Sequence, residues 1–235
     1  MLRTLYAIIL ATSVLLGGCN ASGDNHQPVQ NGSGIQDFQP AQAPPSIPTA
    51  DDHRPLLICF GDSLTAGYGA ETGKSYPDFL QADLDAKGFR YRVVNKGISG
   101  ATTKDGVAQL PSIVVLKPAV VVVEFGGNDG LRGLSVRDMR ANFDTIIATL
   151  QASGAKVVLA GITLPPDYGP DYISQFTETY PLLAKKYKLP LVPFLLQNVF
   201  GVPGMMQQDQ THATAKGNEI VARNVLPLVL PLLKK

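Results

Sequence analysis

The sequence predicts an α/β fold, a three-layer α/β/α sandwich in which helices cover both faces of a mainly parallel, five-stranded sheet. From residue 55 onward, apolar runs rich in β-branched residues alternate with stretches of helical periodicity. The strongest run, Ala119–Phe125, contains four consecutive valines, which is typical of a strand buried on both faces. No internal repeat accompanies this alternation. We therefore expect residues 55–235 to form one domain.

The alternation assigns strands and helices in chain order. The strands are predicted at Leu56–Phe60, Tyr91–Asn95, Ala119–Phe125, Lys156–Ile162 and Leu189–Phe194. The helices are predicted at Tyr76–Ala86, Thr103–Leu110, Val136–Ala152, Asp171–Lys188 and from about Thr214 onward. Gly88 is a stop signal after the first helix. Pro111 is expected to interrupt the second helix and Pro227 to limit the last one, because proline lacks a backbone N–H.

Residues 1–19 are predicted to be a lipoprotein signal peptide. Arg3 supplies the positive charge of an n-region, and Leu5–Leu16 is an apolar h-region that is too short for a typical transmembrane helix. The sequence Leu16-Gly17-Gly18-Cys19 that follows resembles a bacterial lipobox, in which the cysteine is lipidated and anchors the protein to a membrane. An ordinary cleaved signal with an incidental cysteine is the alternative. Asn20 favours the outer membrane, as in lipoproteins of this type, with the domain facing the periplasm.

Residues 20–54 are predicted to be a disordered linker. Gly, Ser, Asn, Gln and Pro dominate this segment, which lacks the apolar side chains needed to form a core. If Cys19 is lipidated, Cys59 has no partner for a disulfide. The formal net charge of +1 and the absence of a Lys/Arg cluster argue against nucleic acid as a partner. The cysteines and histidines match no metal-ligand spacing.

Ser63 is the candidate nucleophile, because it directly follows the first predicted strand in Gly61-Asp62-Ser63-Leu64. Ligands bind at the carboxyl ends of strands in open α/β folds. A serine nucleophile requires a base, a group that orients the base, and donors for an oxyanion. Of the three histidines, only His212 lies well inside the predicted domain. Asp209, three residues earlier, can bond the imidazole Nδ1 and leave Nε2 free to take the serine proton.

Candidate oxyanion donors follow the next two predicted strands. Gly100 comes after the second strand, and a glycine lets its N–H approach a ligand without a Cβ in the way. Asn128, in Gly126-Gly127-Asn128-Asp129, comes after the third strand and carries an NH₂ donor. Gly-Gly-Asn-Asp alone would be read as a turn. Since all three strand ends meet at one edge of the sheet, we expect these donors beside Ser63.

In order and spacing, these blocks resemble the SGNH (GDSL) hydrolases over residues 55–235. The segments Glu124–Gly133 and Leu164–Gly169 are similar to the bacterial thioesterase I/lysophospholipase/arylesterase branch. The resemblance implies a flavodoxin-like sheet, no metal or other cofactor, and an oxyanion hole formed by the Ser63 and Gly100 N–H groups and the Asn128 amide. It also implies that Leu131 and Tyr168 border an acyl pocket. Ala213 departs from relatives, which often carry proline or leucine after the histidine.

The expected function is therefore that of a serine esterase, which hydrolyses acyl esters or thioesters through an acyl-enzyme. A carbohydrate O-acetylesterase is an alternative, and a non-catalytic lipid- or glycan-binding lipoprotein is another. The α/β-hydrolase fold shares the chain order Ser–Asp–His, but its nucleophile motif is Gly-x-Ser-x-Gly, and here Thr65 stands in place of the second glycine. A monomer is the expected oligomeric state for this branch.

Overall fold

The structure is a computed structural model that describes residues 52–235. The strands are β1 Leu56–Gly61, β2 Arg92–Gly97, β3 Val120–Glu124, β4 Lys156–Ala160 and β5 Leu191–Val192. The helices are α1 Ser63–Ala66, α2 Tyr76–Ala86, α3 Thr103–Val114, α4 Gly127–Leu131, α5 Val136–Ala152, α6 Pro170–Tyr187 and α7 Ala215–Val229. Short 3₁₀ turns lie at Pro166–Tyr168 and Leu230–Leu232. The predicted signal peptide with Cys19 and the predicted linker up to residue 51 lie outside the described residues.

The five strands form one sheet in the order β2-β1-β3-β4-β5, and every neighbouring pair is parallel. The chain moves from β1 to β2 on one side and then returns to β3 on the other side of β1. This reversal creates a switch point between the carboxyl ends of β1 and β3, where a crevice for ligands is expected. The predicted parallel five-stranded sheet is confirmed.

The helices cover the two faces of this sheet because parallel crossovers are right-handed. The crossover from β1 to β2 runs in the opposite direction to the later ones, so α2 lies on a different face from α3, α5 and α6. The packing agrees, since α2 contacts α7, whereas α5 contacts both α3 and α6. The apolar residues that recur at helical spacing along α5 are buried, namely Met139, Phe143, Ile146, Ile147 and Leu150.

Two prolines do not end their helices, contrary to the sequence-based prediction. Pro111 lies inside α3, which continues to Val114, and Pro227 lies inside α7, which continues to Val229. Each proline removes one backbone hydrogen bond. Burial of apolar neighbours on the same helices, such as Ile113, offsets that loss, as tertiary packing often overrides local propensity. Proline does limit β5, which has only two residues between Pro190 and Pro193.

Cys59 is a buried free thiol in the centre of β1. Burial raises the pKa of this thiol to about 12, so it stays protonated at neutral pH. Within residues 52–235, no helix is long and apolar enough to cross a membrane.

Candidate active site

Ser63 is the first residue of α1, a single helical turn that begins directly after β1. Asp62 caps this turn, because its Oδ1 accepts the N–H of Leu64 at 3.0 Å. The turn holds the Ser63 side chain at the switch point. Sequence reasoning placed Ser63 at a strand end but missed α1, since four residues are too few to show a helical period.

Asp209 and His212 belong to one short loop between β5 and α7. An isolated antiparallel bridge pairs Met206 with Ala213 at its base, and the Gln207 N–H donates to the His212 carbonyl at 2.8 Å. Inside the loop, Asp209 Oδ1 accepts the backbone N–H groups of Thr211 and His212 at 2.9 and 3.0 Å. Hydrogen bonds within the loop therefore fix the Asp209 carboxylate relative to the backbone that carries His212.

The structure brings Ser63, His212 and Asp209 together in a continuous chain of hydrogen bonds. His212 Nδ1 lies 2.7 Å from Asp209 Oδ2, and His212 Nε2 lies 2.9 Å from Ser63 Oγ. Burial acts to raise the pKa of Asp209, but hydrogen bonds from the His212 and Thr211 N–H groups and from the imidazole lower it to about 2. The ionised carboxylate can only accept, so Nδ1 carries the proton and Nε2 accepts the serine hydroxyl.

Gly100 and Asn128, the two predicted oxyanion donors other than Ser63 itself, line the same cavity as Ser63 and His212. Gly100 adopts a φ of 81°, which a side chain would strain, in the turn after β2. Asn128 lies in the first turn of α4, a five-residue helix that was not among the predicted elements. The Asn128 amide is already engaged, since Nδ2 donates to Asp62 Oδ2 at 3.1 Å and to the Ala101 carbonyl at 3.0 Å.

A cavity of about 480 Å³ opens beside Ser63 and His212. Its lining includes the apolar side chains of Leu64, Leu131, Ile162, Leu164, Pro165, Phe194, Leu196 and Phe200 and the ring of Tyr68. Leu131 was predicted to border the pocket, whereas Ile162, Phe194 and Phe200 were not, because nothing in the sequence indicates which distant side chains converge. Tyr168 differs from the expectation. It is not among the residues that line this cavity, and its hydroxyl instead donates to the carbonyl of the lining residue Leu131 at 2.9 Å.

Residues 59–220 match the profile of the GDSL-like Lipase/Acylhydrolase family. The chain belongs to this family. It is 44% identical over 178 residues to "Esterase TesA" of Pseudomonas aeruginosa, a match that covers 75% of this chain and 89% of that protein.

Two further relatives agree with this assignment. The chain is 36% identical over 177 residues to "Thioesterase 1/protease 1/lysophospholipase L1" of Escherichia coli strain K12, covering 75% of this chain and 84% of that protein. The crystal structure of TesA superposes with a TM-score of 0.73 at 44% identity, covering 76% of this chain and 99% of that chain. The GDSL family member described here is accordingly a carboxylic ester hydrolase.

Beneath the nucleophile of this GDSL hydrolase lies a buried pair of carboxyl groups, Asp62 and Glu124. Burial raises the pKa of Asp62 to about 6, although hydrogen bonds partly offset the effect. Burial and the nearby Asp62 charge raise the pKa of Glu124 well above its ordinary value. Sequence reasoning gave Glu124 no role, although a single carboxylate that ends a run of valines was a visible signal. Among residues 52–235, no group of three or more His, Cys, Asp or Glu side chains could hold a metal ion.

Proposed function

We propose that this GDSL hydrolase cleaves acyl esters and thioesters by a two-step acyl transfer, with Ser63 as nucleophile, His212 as general base and Asp209 as the group that orients the imidazole. The observation that carries the proposal is the hydrogen-bonded chain from Ser63 Oγ through His212 to Asp209 at the mouth of an apolar cavity. A serine hydroxyl is inert without such a base, and the base requires a partner that fixes its tautomer.

In the first step, Ser63 Oγ bonds to the substrate carbonyl carbon while its proton passes to His212 Nε2. The carbonyl oxygen becomes an oxyanion, which the N–H groups of Ser63 and Gly100 and the Asn128 amide stabilise. Each such donor contributes roughly 3 kcal/mol in the transition state. The oxyanion would share the Asn128 amide with the Ala101 carbonyl, and catalytic hydrogen bonds of this kind often tighten only when substrate is bound.

Collapse of the tetrahedral intermediate breaks the bond to the alcohol or thiol, which leaves with the proton held by His212. The acyl group is now bound to Ser63 Oγ. Water then attacks this ester while His212 takes one of its protons, and collapse of the second intermediate returns a proton to Ser63 and releases the carboxylic acid. Throughout, Asp209 stabilises the imidazolium, and its lowered pKa keeps it ionised at neutral pH.

We propose that the preferred acyl group is longer than acetyl. The lining beside Ser63 is largely apolar, and the cavity is within the size range of sites that enclose drug-sized ligands. An acetyl group would leave most of this apolar surface unoccupied, which argues against the glycan O-acetylesterase alternative. An acyl chain gains about 0.8 kcal/mol for each methylene that it buries there.

A chain-length series tests this preference. We expect p-nitrophenyl esters from acetyl to palmitoyl to give a maximum of kcat/KM at a medium or long chain. Phe200 lines the cavity and is about half exposed, so Phe200→Ala removes acyl contact with little cost to folding. It should lower kcat/KM for the preferred ester by roughly three- to tenfold and leave the acetyl ester unchanged.

Val115→Ala is the matched control for this series, because Val115 is an exposed apolar residue that does not line the cavity. It should leave the whole profile unchanged. Activity confined to the acetyl ester, or an equal loss for every chain length in Phe200→Ala, would contradict the acyl-pocket assignment and favour deacetylation of glycans.

We also propose that the hydrolase is a monomer tethered by a lipid on Cys19, with residues 20–54 as a linker, to the periplasmic side of the outer membrane. The support for this proposal is the lipobox-like Leu16-Gly17-Gly18-Cys19 and the polar, proline-containing sequence that follows it. Cys19→Ser is expected to move the protein from the membrane fraction to the soluble fraction without changing kcat. A Cys19→Ser protein that stays with the membranes would refute the anchor.

A further inference from the structure

Glu124 ends β3 directly beneath the Asp62–Ser63 turn. It pairs in register with Gly61 on β1, and the residue is 1% exposed. A Cβ on Gly61 would lie 2.6 Å from Glu124 Oε2, so the absence of a side chain on β1 makes the space for this carboxyl group. A charged residue type at such a buried position requires partners, because an isolated buried charge is strongly disfavoured.

The two oxygens of Glu124 have different surroundings. Oε2 accepts the Thr65 hydroxyl at 2.8 Å and the Asp62 N–H at 3.3 Å. Oε1 is buried and receives no hydrogen bond from a donor among the described residues. An ionised carboxylate would leave negative charge on this oxygen without a partner, whereas a protonated carboxyl can use it as a donor. The Asp62 carboxyl group lies close enough to act on Glu124, and burial together with the Asp62 charge raises the pKa of Glu124, in agreement with a bound proton.

Asp62 connects Glu124 to the oxyanion hole. Its Oδ1 is fixed by the N–H of Leu64, and its Oδ2 accepts the Asn128 amide at 3.1 Å. Asp62 is 2% exposed, so water does not replace these partners. The orientation of the Asn128 NH₂ group therefore depends on the position of the Asp62 carboxylate. That position depends in turn on whether the Glu124 carboxyl group donates a hydrogen bond to it.

We propose that Glu124 is a positioning residue that remains protonated and donates this proton to Asp62, which holds the Asn128 amide in place for the oxyanion. Two adjacent buried carboxylates would repel each other, but one shared proton turns that repulsion into a hydrogen bond. The inference rests on the proposed function, because the oxyanion is the species that Asn128 would stabilise. Glu124 itself does not touch the substrate.

A pair of substitutions of equal length separates this role from simple packing. Glu124→Gln keeps a neutral side chain with an N–H donor, and it should retain kcat within about threefold of wild type. Glu124→Met fills similar space without a donor, and it should lower kcat by about tenfold to a hundredfold with little change in KM, because only the transition state carries the oxyanion. Thermal unfolding and circular dichroism test whether each variant folds.

The deciding measurement is a double-mutant cycle with Asn128→Ala. If Glu124 acts through Asn128, Glu124→Met should add less than about twofold to the loss already caused by Asn128→Ala. If the losses in kcat of the two single variants multiply in the double variant, Glu124 has a structural role that is independent of Asn128. A Glu124→Gln variant as impaired as Glu124→Met at neutral pH would show that an ionised Glu124 is required. Either result overturns the inference.

An infrared difference spectrum provides a readout that remains valid if the Met variant fails to fold. The C=O band of a protonated carboxylic acid should be present in the wild-type protein at neutral pH and absent from Glu124→Gln, and a wild-type protein without this band would refute the proposal.

Phosphonate labelling of wild-type Ser63 separates a failure of the proposed function from a failure of the role proposed for Glu124. An unlabelled serine means that the proposed function has failed, whereas a labelled serine with multiplicative losses means that only the role of Glu124 has failed.

Discussion

Ser63→Ala is expected to lower kcat by roughly 10⁴- to 10⁶-fold, because the losses seen when nucleophiles of related triads are removed are of this order. The hydroxyl at 2.9 Å from His212 Nε2 is the group that would form the acyl-enzyme, and alanine leaves the histidine with no proton to take. KM should change little, since the apolar lining that binds the acyl chain is untouched. Hydrolysis of the preferred p-nitrophenyl ester measures the loss.

A covalent probe makes this result specific to one residue. A fluorophosphonate should add once to the wild-type protein, and peptide mass spectrometry should locate the adduct on Ser63. Ser99→Ala is the matched control, because Ser99 lines the same cavity, whereas the serine hydroxyl bonded to His212 Nε2 is that of Ser63. It should keep full labelling and nearly full kcat. Hydrolysis that survives Ser63→Ala would remove Ser63 as the nucleophile and with it the proposed mechanism.

Asp209→Asn is expected to lower kcat by about 10⁴-fold, the loss seen when an asparagine replaces the aspartate of another serine-hydrolase triad. A carboxylate 2.7 Å from Nδ1 keeps the proton on that nitrogen, whereas an amide can present an N–H and favour the opposite tautomer. With its proton on Nε2, His212 could no longer accept the proton of Ser63. The substrate-binding surface would be unchanged, so kcat should fall far more than KM rises.

Asp209→Asn should lower the free energy of unfolding at neutral pH only modestly, although the lowered pKa of Asp209 shows that the folded state favours the ionised carboxylate. The Asp209 side chain is 40% exposed, and an asparagine oxygen can still accept the backbone N–H groups of Thr211 and His212. Asp138→Asn, at an exposed position on α5, controls for the loss of a carboxylate. A fall in kcat of less than about tenfold in Asp209→Asn would indicate that the loop, rather than this carboxylate, orients the imidazole.

The fold was largely predictable because its signals are local and repeated. Four consecutive valines in β3 and the apolar face of α5 each identify a buried element without knowledge of its neighbours. The helix ends predicted at Pro111 and Pro227 were wrong because a proline indicates only the local cost of a lost backbone hydrogen bond. The burial of Ile113 and Val229 offsets this cost, and that burial depends on the whole domain. Local sequence does not report such tertiary compensation.

The candidate site was predictable where chemistry follows strand ends and unpredictable where it depends on side chains that meet in space. Ser63, Gly100 and Asn128 follow β1, β2 and β3, so the parallel sheet alone brings them to one edge. The cavity wall at Phe194 and Phe200 comes from a different part of the chain, and no spacing relates it to Ser63. The proposed proton on Glu124 depends on burial and on Asp62, which only the folded chain provides.

The loop that carries His212 also determines when a growing chain could first become active. His212 and Ser63 are 149 positions apart, and α7, which follows the loop, packs against α2 near the start of the domain. A nascent chain that has produced all five strands has the serine but lacks its base. Contacts between such distant segments form slowly because a long loop must close first. Esterase activity is therefore a late reporter of folding, since it requires the docking of the last helix as well as the sheet.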